Sequence, residues 1–207
     1  MSARCRLLAA AVAAACGLFA PRADAAQITR LDGSNVNLLP GGKEVDAIFG
    51  DYVLKNDKVV AVIGSANPNR HANLTTTNVQ GAVIDFALLS TNSDQLTAYQ
   101  PHAFVGATPK DTFPVNGAYN NPGPAADRIE IVQADGPEVR LRVSRKPTDD
   151  YPIEVVTEYS LKDGDTHLKV KTTRKNTGAA PFTVRLTQRL KHEKPAVFSG
   201  PGQHGVV

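Results

Sequence analysis

From residue 128 to residue 190 apolar and polar side chains alternate with a period of two. That period marks strands with one face in a core and the other in water. Residues 128–133 and 138–145 form the first two such runs, separated by Ala134-Asp135-Gly136-Pro137. Residues 152–161, 166–174 and 181–190 form three more. In the second of these, Leu168, Val170 and Thr172 share one face and Lys169, Lys171 and Thr173 the other. In the third, Phe182, Val184, Leu186 and Leu190 lie opposite Arg185 and Arg189. The links Lys162-Asp163-Gly164-Asp165 and Asn176-Thr177-Gly178 supply the Asp, Asn and Gly that tight turns need for positive φ. Residues 151–190 are therefore predicted to form a three-stranded meander.

Upstream the pattern is more apolar. Residues 47–54 lead through Lys55-Asn56-Asp57-Lys58 into Val59-Val60-Ala61-Val62-Ile63-Gly64. This predicts a hairpin whose return strand is buried on both faces, because it is apolar throughout and rich in β-branched residues. Residues 81–89 form another buried strand, interrupted by Asp85. Residues 95–105 are strand-like but broken by Pro101, which suggests a sheet edge or a bulge. Residues 26–39 are a polar lead-in with Ile28 and Leu31 as its apolar pair. Two long polar stretches, 65–78 and 106–127, read as loops. Beyond the N-terminal segment no window carries a 3.6-residue apolar period. The fold class predicted is an all-β antiparallel β-sandwich. Residues 194–207 open a further apolar segment with no polar tail, so the domain of 26–207 is expected to continue past Val207.

The first 25 residues change the picture of where the protein lives. Arg4 and Arg6 precede an uncharged run over 7–20, and Ala23-Asp24-Ala25 offers small residues at the positions a signal peptidase reads. The run is short for a bilayer span. The expectation is a signal peptide over 1–25 and an exported protein, periplasmic or extracellular. A lipoprotein anchored through Cys16 is the second reading, weakened by the lack of Leu three residues earlier. Cleavage after Ala25 removes Cys5 and Cys16, the two cysteines of the chain, so no disulfide holds the mature fold. It also removes Arg4, Arg6, Arg22 and Asp24, taking the net charge from +3 to +1. No electrostatic case for nucleic acid or an anionic membrane remains. No transmembrane span is expected in the mature chain, and its oligomeric state is not encoded in any pattern.

Two stretches resemble known families. Gly50-Asp51-Tyr52-Val53-Leu54-Lys55-Asn56-Asp57-Lys58-Val59-Val60-Ala61-Val62-Ile63, followed by Gly81-Ala82-Val83-Ile84-Asp85-Phe86, resembles the N-terminal β-domain of large exported planctomycete-type proteins. Some of these carry a metal-dependent hydrolase domain of the PHP type further on. Glu158-Tyr159-Ser160-Leu161-Lys162-Asp163-Gly164-Asp165, continuing to Lys175-Asn176-Thr177-Gly178, is similar to a passage of galactose-mutarotase-like supersandwich domains. The resemblance implies a supersandwich-like fold and a carbohydrate connection. It transfers no catalytic residue, since the paired histidines and carboxylate of mutarotases match no position here.

Candidate chemistry is sparse. His71, His102, His167, His192 and His204 form no pair at metal-ligand spacing. Asp149-Asp150 lacks the further oxygens a calcium loop needs. There is no nucleophile elbow and no phosphate loop. No cofactor, metal or catalytic residue is assigned. Asp85 has two readings: a general acid or base, or a structural carboxylate that pairs or caps. Lys169, Lys171, Arg174, Lys175, Arg185 and Arg189 form a basic sheet face, answered in part by Glu154 and Glu158. The ligand-binding candidates lie on the two long loops: Asn67, Asn69, Arg70 and His71 on the first, Tyr119 and Asn120 on the second. Amides suit sugar hydroxyls and a tyrosine ring suits a sugar face. If the loops converge, they form a glycan or polyol surface; the other reading is two disordered connectors. The function expected is an exported non-catalytic module, carbohydrate-binding or architectural. The alternative is a fragment of a carbohydrate-active enzyme.

Overall fold

A computed structural model of the chain describes residues 25–42, 45–74, 76–101, 126–149, 151–182, 188–192, 197–200 and 203–206. Its strands are β1 (Ala26–Arg30), β2 (Tyr52–Lys55), β3 (Val59–Ile63), β4 (Val83–Leu88), β5 (Leu96–Gln100), β6 (Arg128–Gln133), β7 (Asp135–Gly136), β8 (Glu138–Arg145), β9 (Ile153–Lys162), β10 (Lys169–Asn176), β11 (Arg189–His192), β12 (Val197–Gly200) and β13 (Gln203–Val206). A single 3₁₀ turn, Val36–Leu38, is the helical element among the described residues. The strands form a seven-stranded sheet in the order β11-β5-β4-β3-β2-β1-β7, a four-stranded sheet in the order β10-β9-β8-β6, and the hairpin β12-β13. The two large sheets are antiparallel and not closed into a barrel, so the fold is all-β and sandwich-like.

The inner faces of the two sheets meet in one core. From the large sheet come Ala26, Ile28, Leu54, Val59, Ala61, Ile63 and Val83; from the small sheet come Val139, Leu141, Val143, Tyr159 and Leu161. Each fully buried Val, Leu or Ile contributes about 1.5–3 kcal/mol relative to exposure. The alternation of 138–145 and 152–161 is what puts these residues on one side, because successive side chains of a strand point to opposite faces. Thr157 and Thr172, on the same face, meet hydroxyl to hydroxyl at 3.3 Å.

β3 is buried at all five positions because the large sheet is covered on both faces. Its outer side carries a second cluster: Leu31, Val53, Val60, Val62, Val79, Ala82, Ile84, Ala87 and Ala98, with Leu38, Leu39, Ala47, Ala72 and Leu89 against it. The cover is made of irregular chain, from residues 31–42, 45–51 and 65–82. A register shift between Val62 and Ile63 puts Ile84 in the outer cluster while Val83 stays in the inner one.

Three expectations change. The lead-in over 26–39 begins with a strand: β1 pairs with β2 on one side and β7 on the other, and Ala26, Ile28 and Leu31 are buried. Of the predicted third strand of the meander, 181–190, residues 183–187 lie outside the described residues; β9 pairs with β10, and β11, which takes in only the end of that run, pairs with β5 in the other sheet. Alternation sets which face a strand buries and leaves its partner open. Third, Arg174 leaves the basic face. Lys169, Lys171 and Lys175 stand opposite Ser160, Glu158 and Glu154, whereas Arg174 stands opposite Val155, on the inner face. It donates to the Pro101 carbonyl at 3.4 Å, just where β5 ends.

Candidate functional site

The 65–82 segment leaves β3 and returns as β4, and it is built around a buried ion pair. Arg70 Nη2 lies 2.7 Å from Asp51 Oδ2, with the side chains 2% and 0% exposed. Arg70 Nε also donates to Asp51 Oδ1 at 3.2 Å, so the contact is bidentate. The Asp51 carboxylate further accepts the Ser65 N–H at 2.7 Å and the Ile48 N–H at 2.9 Å. The remaining guanidinium capacity goes to backbone oxygens, of Asp46 at 2.6 Å and of His71. One carboxylate and one guanidinium thus tie together the strap over 45–51, the start of the loop and its middle.

The loop closes on itself with further bonds. The Val79 N–H donates to the Arg70 carbonyl at 2.9 Å, and the Ala72 N–H to the Thr76 carbonyl at 2.9 Å. Gln80 Nε2 donates to the Asn67 carbonyl and Gln100 Nε2 to the Asn78 carbonyl. Lys191 of β11 reaches Thr76 Oγ1 at 2.5 Å. The described residues of the loop are thus tied to one another and to the sheet by side-chain and backbone hydrogen bonds.

Of the sequence-predicted ligand residues, Asn67, Asn69 and His71 are exposed on this frame. Asn69 also serves the turn, with a φ of 60° that Asn tolerates better than most residues. His71 Nδ1 accepts the Asn78 N–H at 3.2 Å, which leaves Nε2 as the outward nitrogen. Arg70 is not on the rim. It is buried beneath it, and its role is to hold the loop rather than to meet a ligand. Tyr119 and Asn120 lie outside the described residues, as does the stretch 106–125 that contains them.

Two rim residues were missed by reading the loop alone. Phe49 is 63% exposed and belongs to the strap, next to Gly50. A Cβ built on Gly50 would stand 3.7 Å from Asn67 Nδ2 and 3.5 Å from Arg30 Nη2. The exposed Arg30 is held there by its own Nε, which donates to the Gly50 carbonyl at 3.3 Å. The signal available in the sequence was Phe49-Gly50-Asp51, an aromatic followed by turn residues, where a core strand would continue apolar. Asn67, Asn69 and His71 are thus the exposed predicted side chains of the loop, Arg30 approaches it at Gly50, and Phe49 is exposed on the adjoining strap.

Asp85 resolves toward its structural reading. It is fully buried on the outer face of β4, and its Oδ1 accepts the Asp46 N–H of the strap at 2.9 Å. Asp94, also fully buried, accepts the N–H groups of Phe86 at 3.1 Å and Leu96 at 3.0 Å through its own Oδ1. Among the described residues Oδ2 of neither carboxyl has a hydrogen-bond partner. Burial pushes Asp85 up to about 8, with the neighbouring charges of Asp94 and Asp46 adding and the Asp46 N–H opposing. Burial raises Asp94 as well. Both carboxyls are shut off from solvent, so neither meets a ligand at the surface. Among the described residues no group of three or more His, Cys, Asp or Glu is placed to hold a metal ion.

Fold and rim together define an all-β, sandwich-like protein of two antiparallel sheets with a polar loop pinned to one of them. No family model matches the chain, and comparisons with curated proteins and with solved structures return no match. Among the described residues no helix is long and apolar enough to cross a membrane.

Proposed function

We propose that the chain is an exported, non-catalytic β-sandwich module that binds a glycan or other polyol on the rim formed by residues 65–78 and 45–51. The observation that supports it is the buried Asp51–Arg70 pair, which holds Asn67, Asn69 and His71 on a fixed frame beside Phe49 and Arg30. A preformed frame lowers the ordering cost of binding. Amide and imidazole groups exchange hydrogen bonds with hydroxyls, and the Phe49 ring supplies a flat apolar face for a sugar ring. The carbohydrate class is also what the supersandwich resemblance of 158–178 implies. The test is a glycan array probed with the processed protein and with a variant carrying Asn67→Ala, His71→Ala and Phe49→Ala. The expected result is binding by the wild type and a loss of at least about tenfold in the variant, the scale of 1.4 kcal/mol. Binding by neither protein, or equal binding by both, overturns the proposal.

A further inference from the structure

The first residue of β1 is the residue that signal cleavage would make the N-terminus. Its backbone nitrogen already sits on a carboxylate: Ala26 N lies 2.5 Å from Asp163 Oδ1, at a partly buried position. Asp163 belongs to the tight turn between β9 and β10, and that turn is held rigidly. The Asp163 N–H donates to the Pro137 carbonyl at 3.1 Å, and the Gly164 N–H to Asp57 Oδ1 at 3.1 Å. Asn56 Nδ2 donates to the carbonyls of Lys162 at 2.6 Å and Asp165 at 2.9 Å. The carboxylate is thus positioned by the β2–β3 turn and by the link into β8 before the N-terminus reaches it. The Ala26 side chain is itself buried in the inner core.

We propose that cleavage after Ala25 creates a processing-dependent latch, in which the new α-ammonium of Ala26 pairs with Asp163 and fastens β1 of the large sheet to the β9–β10 turn of the small one. Hydrolysis of the Ala25–Ala26 peptide bond consumes one water and converts an amide N–H into an ammonium. The hydrogen bond to Asp163, charge-assisted by the carboxylate alone while Ala26 N is an amide, then becomes a full ammonium–carboxylate ion pair. Two independent signals meet at one bond: the small residues Ala23 and Ala25 place the cut, and the pairing of Ala26 with Gly136 places the start of β1. Asp57, paired with Lys58, and Asp165 flank the Asp163–Gly164 turn. Lys55 and Asp135 both stand opposite Gln27, and Glu138 stands opposite Lys162. The latch rests on the export reading, and the experiment separates the two.

The full chain, with its leader, is expressed in a bacterial host and the exported protein is recovered. Intact mass and N-terminal sequencing then locate the cut. Three companions are made the same way: Asp163→Asn, an insertion of Gly-Ser between Ala25 and Ala26, and the two combined. The insertion leaves Asp163 intact, so it carries the test if Asp163→Asn does not fold. The expected result is an N-terminus at Ala26, with Tm lower by about 2–4 °C in each single variant, as about 1 kcal/mol gives in a chain of this size. The combined variant falls little further, because each change removes the same ammonium–carboxylate pairing, the insertion by keeping Ala26 N an amide and Asp163→Asn by removing the carboxylate charge. The pH dependence of α-amine acylation in the wild type is expected to sit above the ordinary range of about 7.7–8.0 and to return to it in Asp163→Asn. A cut elsewhere, at Cys16 included, overturns the latch and leaves export standing, and no cut at all overturns both. A cut at Ala26 with an ordinary α-amine, or with losses that add in full, overturns the latch and leaves export standing.

Discussion

At Gly81 the chain passes from the loop into β4 with a φ of +68°, and a Cβ there would lie 2.4 Å from Val143 Cγ1 and 3.0 Å from Arg145 Nη2. The small sheet therefore comes as close as it does because this position has no side chain. The approach is used twice. The Tyr159 hydroxyl donates to the Gly81 carbonyl at 2.6 Å, and Arg145 Nη2 to the Gln80 carbonyl at 2.7 Å. Both side chains are fully buried. Burial pushes the Tyr159 phenol far up, and it draws Arg145 down to about 10, with Tyr159 and Asp127 opposing and Arg174 adding. Both therefore stay protonated at neutral pH, as their donor roles require. Gly81→Ala is expected to destabilise the protein by about 3–4 kcal/mol, combining left-handed backbone strain with overpacking, read as a lower urea midpoint at unchanged slope. The alternation of 138–145 already places Arg145 on the face of Val139, Leu141 and Val143. What the pattern does not carry is the carbonyl waiting opposite, which is 65 positions away in the chain.

Among the elements, the strap over 45–51 and the loop over 65–80 behave as one unit because Asp51 and Arg70 join them. Removing one half of a buried pair leaves the other charged and unpartnered, at a cost of about 3–5 kcal/mol. Asp51→Ala also removes the acceptor for Ser65 and Ile48. It is expected to cost at least that much, and hydrogen exchange should show early opening over 45–51 and 65–80 while β8 and β9 stay protected. Uniform loss of protection across both sheets would show instead that the two segments have no separate stability. The hairpin of β2 and β3 was legible, since an all-apolar strand has to be covered on both faces. Its cover was not, because irregular chain carries no period to read. The exchange of β11 between sheets was illegible for a related reason. A strand such as Arg189–His192 satisfies its backbone equally well on β10 or on β5, and local sequence does not rank the two edges.

For the molecule as a whole, the Asp85–Asp94 pair links the fold to pH. A carboxyl whose folded pKa is raised binds its proton more tightly in the native state than in the unfolded one. Its contribution is fully present below the unfolded value of 3.8 and is lost as pH rises through the folded value, about 8 for Asp85. Stability from this pair is therefore expected to decline between about pH 4 and pH 8. Asp85→Asn can still accept the Asp46 N–H and can donate to Asp94 with no proton to lose. It is expected to flatten that decline and to gain about 1–2 kcal/mol at pH 8, the scale of one satisfied buried hydrogen bond. A wild-type profile that is flat or rising over this window would contradict the assignment. Side-chain pattern alone was enough for the all-β class, the inward faces of β8, β9 and β10, the double burial of β3 and the turn chemistry at Asp163-Gly164. These follow from side-chain periodicity and backbone preference, which act over a few residues. It took the folded chain to show that β1 is a strand, which sheet takes β11, that Arg70 is buried rather than ligand-facing, and that Asp85 is buried beside Asp94. Each of those depends on which distant group comes to lie opposite, and a strand edge, a guanidinium or a carboxyl has the same local sequence whichever partner it finds.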